Sequence, residues 1–304
     1  MSVLTLREDF LSSLLDGRLR KGELRFVPGL SLPMVLGNDA CGTVHACGAG
    51  VTRFRPGDRV YCMLDALEKR SPFGFARPGA CAEYAVTRED TLALVPESLS
   101  DEEAAAIPLS ALTAYQALVH RGHVRAGNRV LVVGATGGTG VLAVQVAKFF
   151  GAHVTAVCGA QNAELARGLG ADACIERDAF ARGARPEEKQ DIVYDVAVAS
   201  SYGAVCGALT DTGVYITNVA NVSSVLGTQL GFVCRAFGSR RRNTHAWVVP
   251  SGEDLERISA MVRAGRLKVV LDTVYPLEDA RTAYRRSERG KVTGKLVLRV
   301  ASAC

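Results

Sequence analysis

The sequence predicts an α/β protein with two parts, a doubly wound parallel sheet and a smaller all-β domain. Three observations lead there. Over residues 129–264, buried-strand patterns alternate with amphipathic-helix patterns, as a parallel sheet with crossover helices requires. Within that region a glycine-rich turn, Gly134-Ala135-Thr136-Gly137-Gly138-Thr139-Gly140, separates an apolar run from a helical one. Residues 32–96, by contrast, are rich in Gly, Pro and short β-type runs bounded by turn formers.

The elements follow in order. Thr43-Val44-His45, Asp58-Arg59-Val60-Tyr61 and Glu83-Tyr84-Ala85-Val86 read as strands of the β domain. Ser100 with Glu103 fits a capping box at the head of an Ala-rich helix, which Pro108 interrupts; a second helix is expected over 111–119. The unbroken apolar run 130–133 is a buried parallel strand. Helix 140–150, strand 153–157, helix 163–169, strands 192–198 and 214–217 and helix 253–263 continue the alternation. A short helix near 277–287 and a strand at 296–300 return to β character. The expected domains are 1–107, completed by 268–304, and 108–267.

Bulk properties narrow the classes. A chain of 304 residues accommodates about two domains. The net charge of +5 is modest and spread along the chain, so neither nucleic acid nor a membrane surface is called for as a partner. The one cluster, Arg240-Arg241-Arg242, reads as a solvated loop, with a phosphate contact as the alternative. No run approaches the roughly 18 apolar residues of a membrane-spanning helix. Arg7, Glu8, Asp9 and Asp16 interrupt the N-terminal apolar residues, unlike a secretory signal. The nine cysteines include no C-x-x-C pair, which points to free thiols in a reducing compartment: the cytoplasm, with an organelle as the alternative.

The glycine turn carries the functional argument. Backbone amides at a helix N-terminus are unpaired and carry partial positive charge, so a strand, a glycine turn and a helix in succession suit a dinucleotide's diphosphate on a Rossmann sheet. Gly137 lets the ligand approach the main chain, and Gly140 lets the helix pack on the strand. Ala135 stands where the usual G-x-G-x-x-G has its first glycine. A turn without ligand is the bland alternative. At the end of the second strand an NAD site expects an acid for the ribose hydroxyls. Here Val157-Cys158-Gly159-Ala160-Gln161-Asn162 has none before Glu164, which leaves room for a 2′-phosphate. Arg177 is the nearby cation to pair with it, and the cofactor expected is NADPH.

Several ordered stretches carry a wider resemblance: Val35-Leu36-Gly37-Asn38-Asp39, residues 50–60 and 112–118, the glycine turn, Ala163-Glu164-Leu165 with Leu169-Gly170-Ala171-Asp172, and Gly294-Lys295-Leu296-Val297-Leu298. In these the chain resembles the zinc-free quinone oxidoreductases, the zeta-crystallin-like branch of the medium-chain dehydrogenase/reductases, over about residues 16–300. The resemblance implies a GroES-like β domain completed by the C-terminal tail, with the Rossmann domain inserted. It implies that Thr113 approaches the nicotinamide carboxamide and that Ala135, Thr136, Gly137, Gly138, Thr139, Gly140 and Val141 hold the diphosphate. Gly159, Ala160 and Asn162 would border the adenine ribose, and Asn218, Val219 and Lys295 the nicotinamide side. It also implies homodimers that pair sheets edge to edge.

Zinc is not expected. Gly37-Asn38-Asp39 replaces the Gly-His-Glu of the zinc alcohol dehydrogenases, so a ligand is lost, and no cysteines lie between Cys62 and Cys81 to build a structural zinc lobe. His120 and His123 read as a solvated turn. The resemblance implies NADPH-dependent hydride transfer to a quinone or an α,β-unsaturated carbonyl. In such acceptors the developing charge is delocalised, and no Lewis acid is needed to hold it. Tyr61 and Tyr84 are conceivable donors or structural residues, and no catalytic residue is assigned. The chain departs from the family in its short N-terminus, which predicts an apparently truncated β domain lacking strands. It also departs at Asp211-Thr212-Gly213 and at Val198-Ala199-Ser200-Ser201, where relatives carry an Asp and a Gly beside the cofactor. A nucleotide-binding relative of low activity, with a binding or regulatory role, is therefore the alternative function.

Overall fold

A computed structural model describes residues 3–11, 35–64, 79–218, 240–290 and 292–300. In chain order the elements begin with strands β1 (Val3–Leu11), β2 (Asp39–Cys47), β3 (Arg59–Met63), β4 (Tyr84–Arg88) and β5 (Leu92–Leu94), then helices α1 (Asp101–Ala105) and α2 (Pro108–Tyr115). Next come β6 (Arg129–Val133), α3 (Gly140–Phe149), β7 (His153–Cys158), α4 (Ala163–Gly168), β8 (Ala173–Glu176), α5 (Arg177–Ala181) and β9 (Gln190–Asp195). The chain continues with α6 (Tyr202–Val205), β10 (Leu209–Thr217), β11 (Arg242–His245), α7 (Gly252–Arg263), β12 (Leu271–Pro276), α8 (Ala280–Glu288) and β13 (Lys295–Arg299).

Two compact units result. One comprises 1–112, 249–265 and 269–304; the other comprises 113–248 and 266–268. Compared with the sequence reading, residues 108–112 and 249–265 fall in the first unit. Packing gives the reason for α7. Its cap, Ser251, accepts the N–H of Asp254, and Gly252 lies so close to β5 that a Cβ there would meet the Leu92 carbonyl oxygen at 2.3 Å. Buried Leu255, Ile258, Met261 and Val262 supply its apolar face.

The first unit is a seven-stranded sheet in the order β12-β13-β1-β2-β3-β5, with β4 also paired to β1. The C-terminal strand β13 joins β1 antiparallel, Phe10 opposite Arg299 and Leu11 opposite Leu298. Here one expectation is corrected. The β domain, expected to lack strands, has a strand that the sequence reading did not place: the N-terminal residues form β1, which pairs with β2, β4 and β13 in the middle of the sheet. Val44, Val60, Cys62, Leu64, Ala85, Leu92 and Leu298 form the core beneath it. The capping box is present at α1: Ser100 Oγ accepts the Glu103 N–H, and the Glu103 carboxylate accepts the Ser100 N–H. Pro108 interrupts the helical run as expected: α1 ends at Ala105, and Pro108 begins α2, where its missing N–H costs no hydrogen bond. The expected helix 111–119 is thus α2 followed by a π-helical turn, Gln116–Arg121.

The second unit is a six-stranded parallel sheet, β11-β10-β9-β6-β7-β8. Val130, Leu131, Val132 and Val133 of β6 are all buried, as a strand covered on both faces must be. Leu131, Val133, Val157, Val193 and Tyr215 on one face pack against Phe180 of α5 and Tyr202 and Val205 of α6. The order runs from β6 towards β7 and β8 on one side and towards β9, β10 and β11 on the other. The reversal between β6 and β9 is the switch point at which open α/β sheets bind ligands, beyond the carboxyl ends of the strands. The arginine cluster is corrected as well: Arg242 starts β11, and Arg241 pairs with Asp211 at 3.1 Å.

Candidate functional site: a nucleotide cradle at the switch point

The glycine turn leaves β6 beside this reversal. Gly134 has a φ of +82°, a left-handed conformation natural to glycine, and the amides of Gly134 and Ala135 both donate to the Val157 carbonyl of β7 at 3.0 Å. Gly140 is required by space, since a Cβ there would fall 2.0 Å from the Gly134 oxygen. Gly137 is different. A Cβ at this position would meet nothing closer than that same oxygen at 3.6 Å, so the turn is open above it. The residue before α3, Thr139, makes no side-chain cap, so no side chain covers the start of this ten-residue helix, although the Val141 N–H already donates to the Gly137 carbonyl at 3.0 Å.

The end of β7 joins the turn. Asn162 donates from Nδ2 to Thr136 Oγ1 at 3.2 Å, so the segments expected at the diphosphate and at the adenine ribose meet in one place. Gly159 is the residue before the 3-10 turn Ala160–Asn162, and a Cβ there would press on the Gln161 amide. Arg177 is exposed at the head of α5. Burial pushes the Cys158 thiol up to about 11, as does neighbouring Cys174, while the charges of Arg177 and Arg167 pull it down. Both guanidinium groups therefore act on the tip of β7. Sequence reasoning missed Arg167, and it missed an acid: the β7–β8 register sets Glu176 directly opposite Cys158.

On the other side of β6, Asp195 ends β9 and is fully buried. It accepts from the Ala199 and Ser200 amides, at 3.1 and 2.8 Å, and from the Ser200 and Tyr215 hydroxyls, at 2.7 and 3.2 Å. The loop it organises contains Val198 at φ +54°, in the stretch where the family carries glycine. Asn218 follows β10, and its Oδ1 accepts from the Tyr194 hydroxyl at 2.7 Å. Thr113 is buried on α2, and Val219 lies outside the described residues.

Lys295 belongs to the first unit and is engaged there. Its buried ammonium lies 3.5 Å from Asp39 Oδ2 and 2.9 Å from Ser110 Oγ, while Asp39 Oδ1 accepts the Leu109 N–H at 2.6 Å. At the positions where the zinc alcohol dehydrogenases carry His-Glu, Asp39 holds a lysine, and Asn38 is not a zinc donor of the usual kind. Among the described residues, no three His, Cys, Asp or Glu side chains converge as a metal would need. His120 packs edge-on against Tyr115. Tyr61 is buried and hydrogen-bonds Leu255 O and Ser259 Oγ of α7, so its hydroxyl has a structural use; Tyr84 is exposed beside His45.

Comparison with known proteins adds to this geometry. An alcohol dehydrogenase GroES-like domain matches residues 12–97, and a zinc-binding dehydrogenase domain matches 169–298. The chloroplastic quinone-oxidoreductase homolog of Spinacia oleracea is 31% identical over 290 residues, covering 93% of this chain and 85% of that protein. A mitochondrial NAD(P)H oxidoreductase of Danio rerio, RTN4IP1, is 31% identical over 294 residues, covering 90% of this chain and 73% of that protein. The solved structure of the quinone oxidoreductase from Coxiella burnetii superimposes with a TM-score of 0.83 at 27% identity, covering 98% of this chain and 90% of that one.

Proposed function

Because the chain belongs to the quinone-oxidoreductase-like branch of the medium-chain dehydrogenase/reductase superfamily, we propose that it is an NADPH-dependent reductase of quinones or α,β-unsaturated carbonyls that works without zinc. The coarser part of this follows from its relatives: an oxidoreductase that uses a nicotinamide nucleotide. The observation that carries the proposal is the open turn at Gly137, ahead of an uncapped helix, with two arginines acting on the tip of the next strand.

The chain's residues have distinct tasks in this reading. The turn from Ala135 to Val141 holds the diphosphate, with the Ala135, Gly137 and Val141 amides spent on main-chain carbonyls that shape it, and Gly140 keeps the helix close to the strand. Thr136 and Asn162 lock the turn to the ribose-binding segment Gly159–Asn162, while Arg177 and Arg167 meet the 2′-phosphate. Thr113 and Asn218 border the nicotinamide. NADPH held there would supply a hydride to an electron-poor carbon of the acceptor. Zinc independence rests on the donor set, in which Asp39 is committed to Lys295 and Ser110 to the same ammonium.

One observation favours the second reading, a nucleotide-binding relative of low activity. A β-branched residue, Val198, is held at φ +54° in the loop on the ligand side of the sheet, a strained conformation where glycine would fit freely. One experiment separates the readings. The protein is titrated with NADPH and NADH, then assayed for loss of NADPH absorbance with a panel of quinones and enones. Turnover with NADPH preferred supports the reductase. Tight NADPH binding without turnover on any acceptor supports the second reading, and NADH performing as well would sink the phosphate argument. Gly137→Ala serves as the control: a Cβ there meets nothing closer than 3.6 Å in the fold, and nucleotide binding should weaken. The homodimer and the compartment, cytoplasm or organelle, are tested by sedimentation and fractionation.

A further inference from the structure

Tyr194 is fully buried on β9, beside Val132 of β6 and Ile216 of β10, with its hydroxyl 2.7 Å from Asn218 Oδ1. A buried phenol must place its proton on an acceptor, because an unmade hydrogen bond in the interior costs more than a typical bond contributes. Among the described residues, the Asn218 side chain is the one that takes it. This settles which way the amide faces. The carboxamide oxygen points inward to the phenol, and the NH2 group, with two donors and no partner among the described residues, points away. Asn218 is only half-buried, so a ligand can reach those donors.

The position of Asn218 in the sheet says what that ligand atom would be. It lies two strands from β6, about 10 Å away at the usual inter-strand spacing, on the side opposite β7 and Arg177. A dinucleotide with its diphosphate on the glycine turn and its adenosine towards β7 extends its other end over β9 and β10. We infer that Tyr194 is a positioning residue. Its hydroxyl orients Asn218 so that Nδ2 donates to the carbonyl oxygen of the cofactor's nicotinamide carboxamide. This rests on the cofactor reading above.

The test uses two ligands that share one end. NADPH and 2′-phospho-ADP-ribose carry the same diphosphate and phosphorylated adenosine, but only NADPH has the nicotinamide. Calorimetric affinities are measured for the wild type, Tyr194→Phe, Asn218→Asp and the double variant. Tyr194→Phe should weaken NADPH about 3- to 10-fold, the effect of one hydrogen bond, and leave 2′-phospho-ADP-ribose within 2-fold. Asn218→Asp keeps Tyr194 in place but turns an acceptor outward; it should weaken NADPH at least as much, with the shorter ligand unchanged. The double variant should be no weaker than Asn218→Asp alone. A Tyr194→Phe protein that is merely less heat-stable, with the ratio of the two affinities unchanged, makes Tyr194 structural and overturns the inference. So does an unchanged ratio in Asn218→Asp. A wild type that binds neither ligand overturns the cofactor reading itself, which is a different result.

Discussion

Replacing Lys295 by methionine separates two roles for one residue. The family resemblance sets Lys295 beside the nicotinamide, whereas its ammonium is buried between Asp39 and Ser110. The side chains of Lys295 and Asp39 are 5% and 0% exposed, so water does little to screen them. Two unit charges 3.5 Å apart attract by about 5 kcal/mol at an effective dielectric constant near 20. Much of that attraction offsets desolvation, which is why the informative quantity is the loss of one partner. Lys295→Met leaves the Asp39 carboxylate buried without its cation, and that should cost about 3–5 kcal/mol. At about 2–4 °C per kcal/mol for a protein of this order of size, Tm should fall by roughly 10 °C. Asp39→Asn with Lys295→Met should recover most of the loss, because the neutral amide can still accept the Leu109 N–H. Thermal unfolding followed by circular dichroism, alongside NADPH titration, reads both roles. A Lys295→Met protein of normal stability with weakened NADPH binding would refute the structural role. Failure of the double variant to recover would refute the charge argument.

Three further predictions concern the second unit. Arg177→Ala and Arg167→Ala should each raise the KM for NADPH by about 10-fold, the loss of a charge-assisted contact, with little change for NADH; equal effects on both cofactors would place the arginines away from the 2′-phosphate. Val198→Gly relieves a left-handed β-branched residue, so Tm should hold or rise despite the added chain entropy; a fall of several degrees would show that the valine side chain matters more than its backbone strain. Asp172 concerns pH. Burial alone would raise its carboxyl, but the Val154 N–H and Lys148 outweigh this and hold it below the ordinary carboxylate range. Its contribution is therefore fully present above about pH 4 and lost as pH falls through the lower folded value. Asp172→Asn should be less stable at neutral pH, and its deficit should close in acid; a deficit constant with pH would remove the ionic explanation.

Much of the fold was legible because local patterns and tertiary demands agree. The apolar run of β6 needs no context to be a buried strand, and the Ser100 box caps α1 with bonds both partners can make alone. The misses are elements whose side chains do not advertise them. Strand β1 carries Arg7-Glu8-Asp9 in its middle, and those charges broke the β pattern although its backbone pairs on both sides. Strand β11 consists of Arg242, Asn243, Thr244 and His245, four polar residues that among the described residues pair on one side only, with β10. Pairing decides such strands, and pairing is not a local property.

The same distinction divides the candidate site. The proposed diphosphate cradle is made of main chain, and its two glycines differ: Gly140 has no space for a side chain against the Gly134 oxygen, whereas Gly137 leaves open the space a ligand would take. Glycines at fixed spacing encode that directly. Cofactor choice depends instead on which charges the sheet register brings to the tip of β7. The segment after Cys158 is free of acids for five residues, yet β8 sets Glu176 opposite Cys158, and α4 contributes Arg167 from the other direction. A carboxylate there favours ribose hydroxyls, and two guanidinium groups favour a phosphate. The proposal of NADPH rests on two positive charges at that tip against one negative. The Arg177 and Arg167 variants test this most directly, because they alter the charges while leaving the glycine cradle intact.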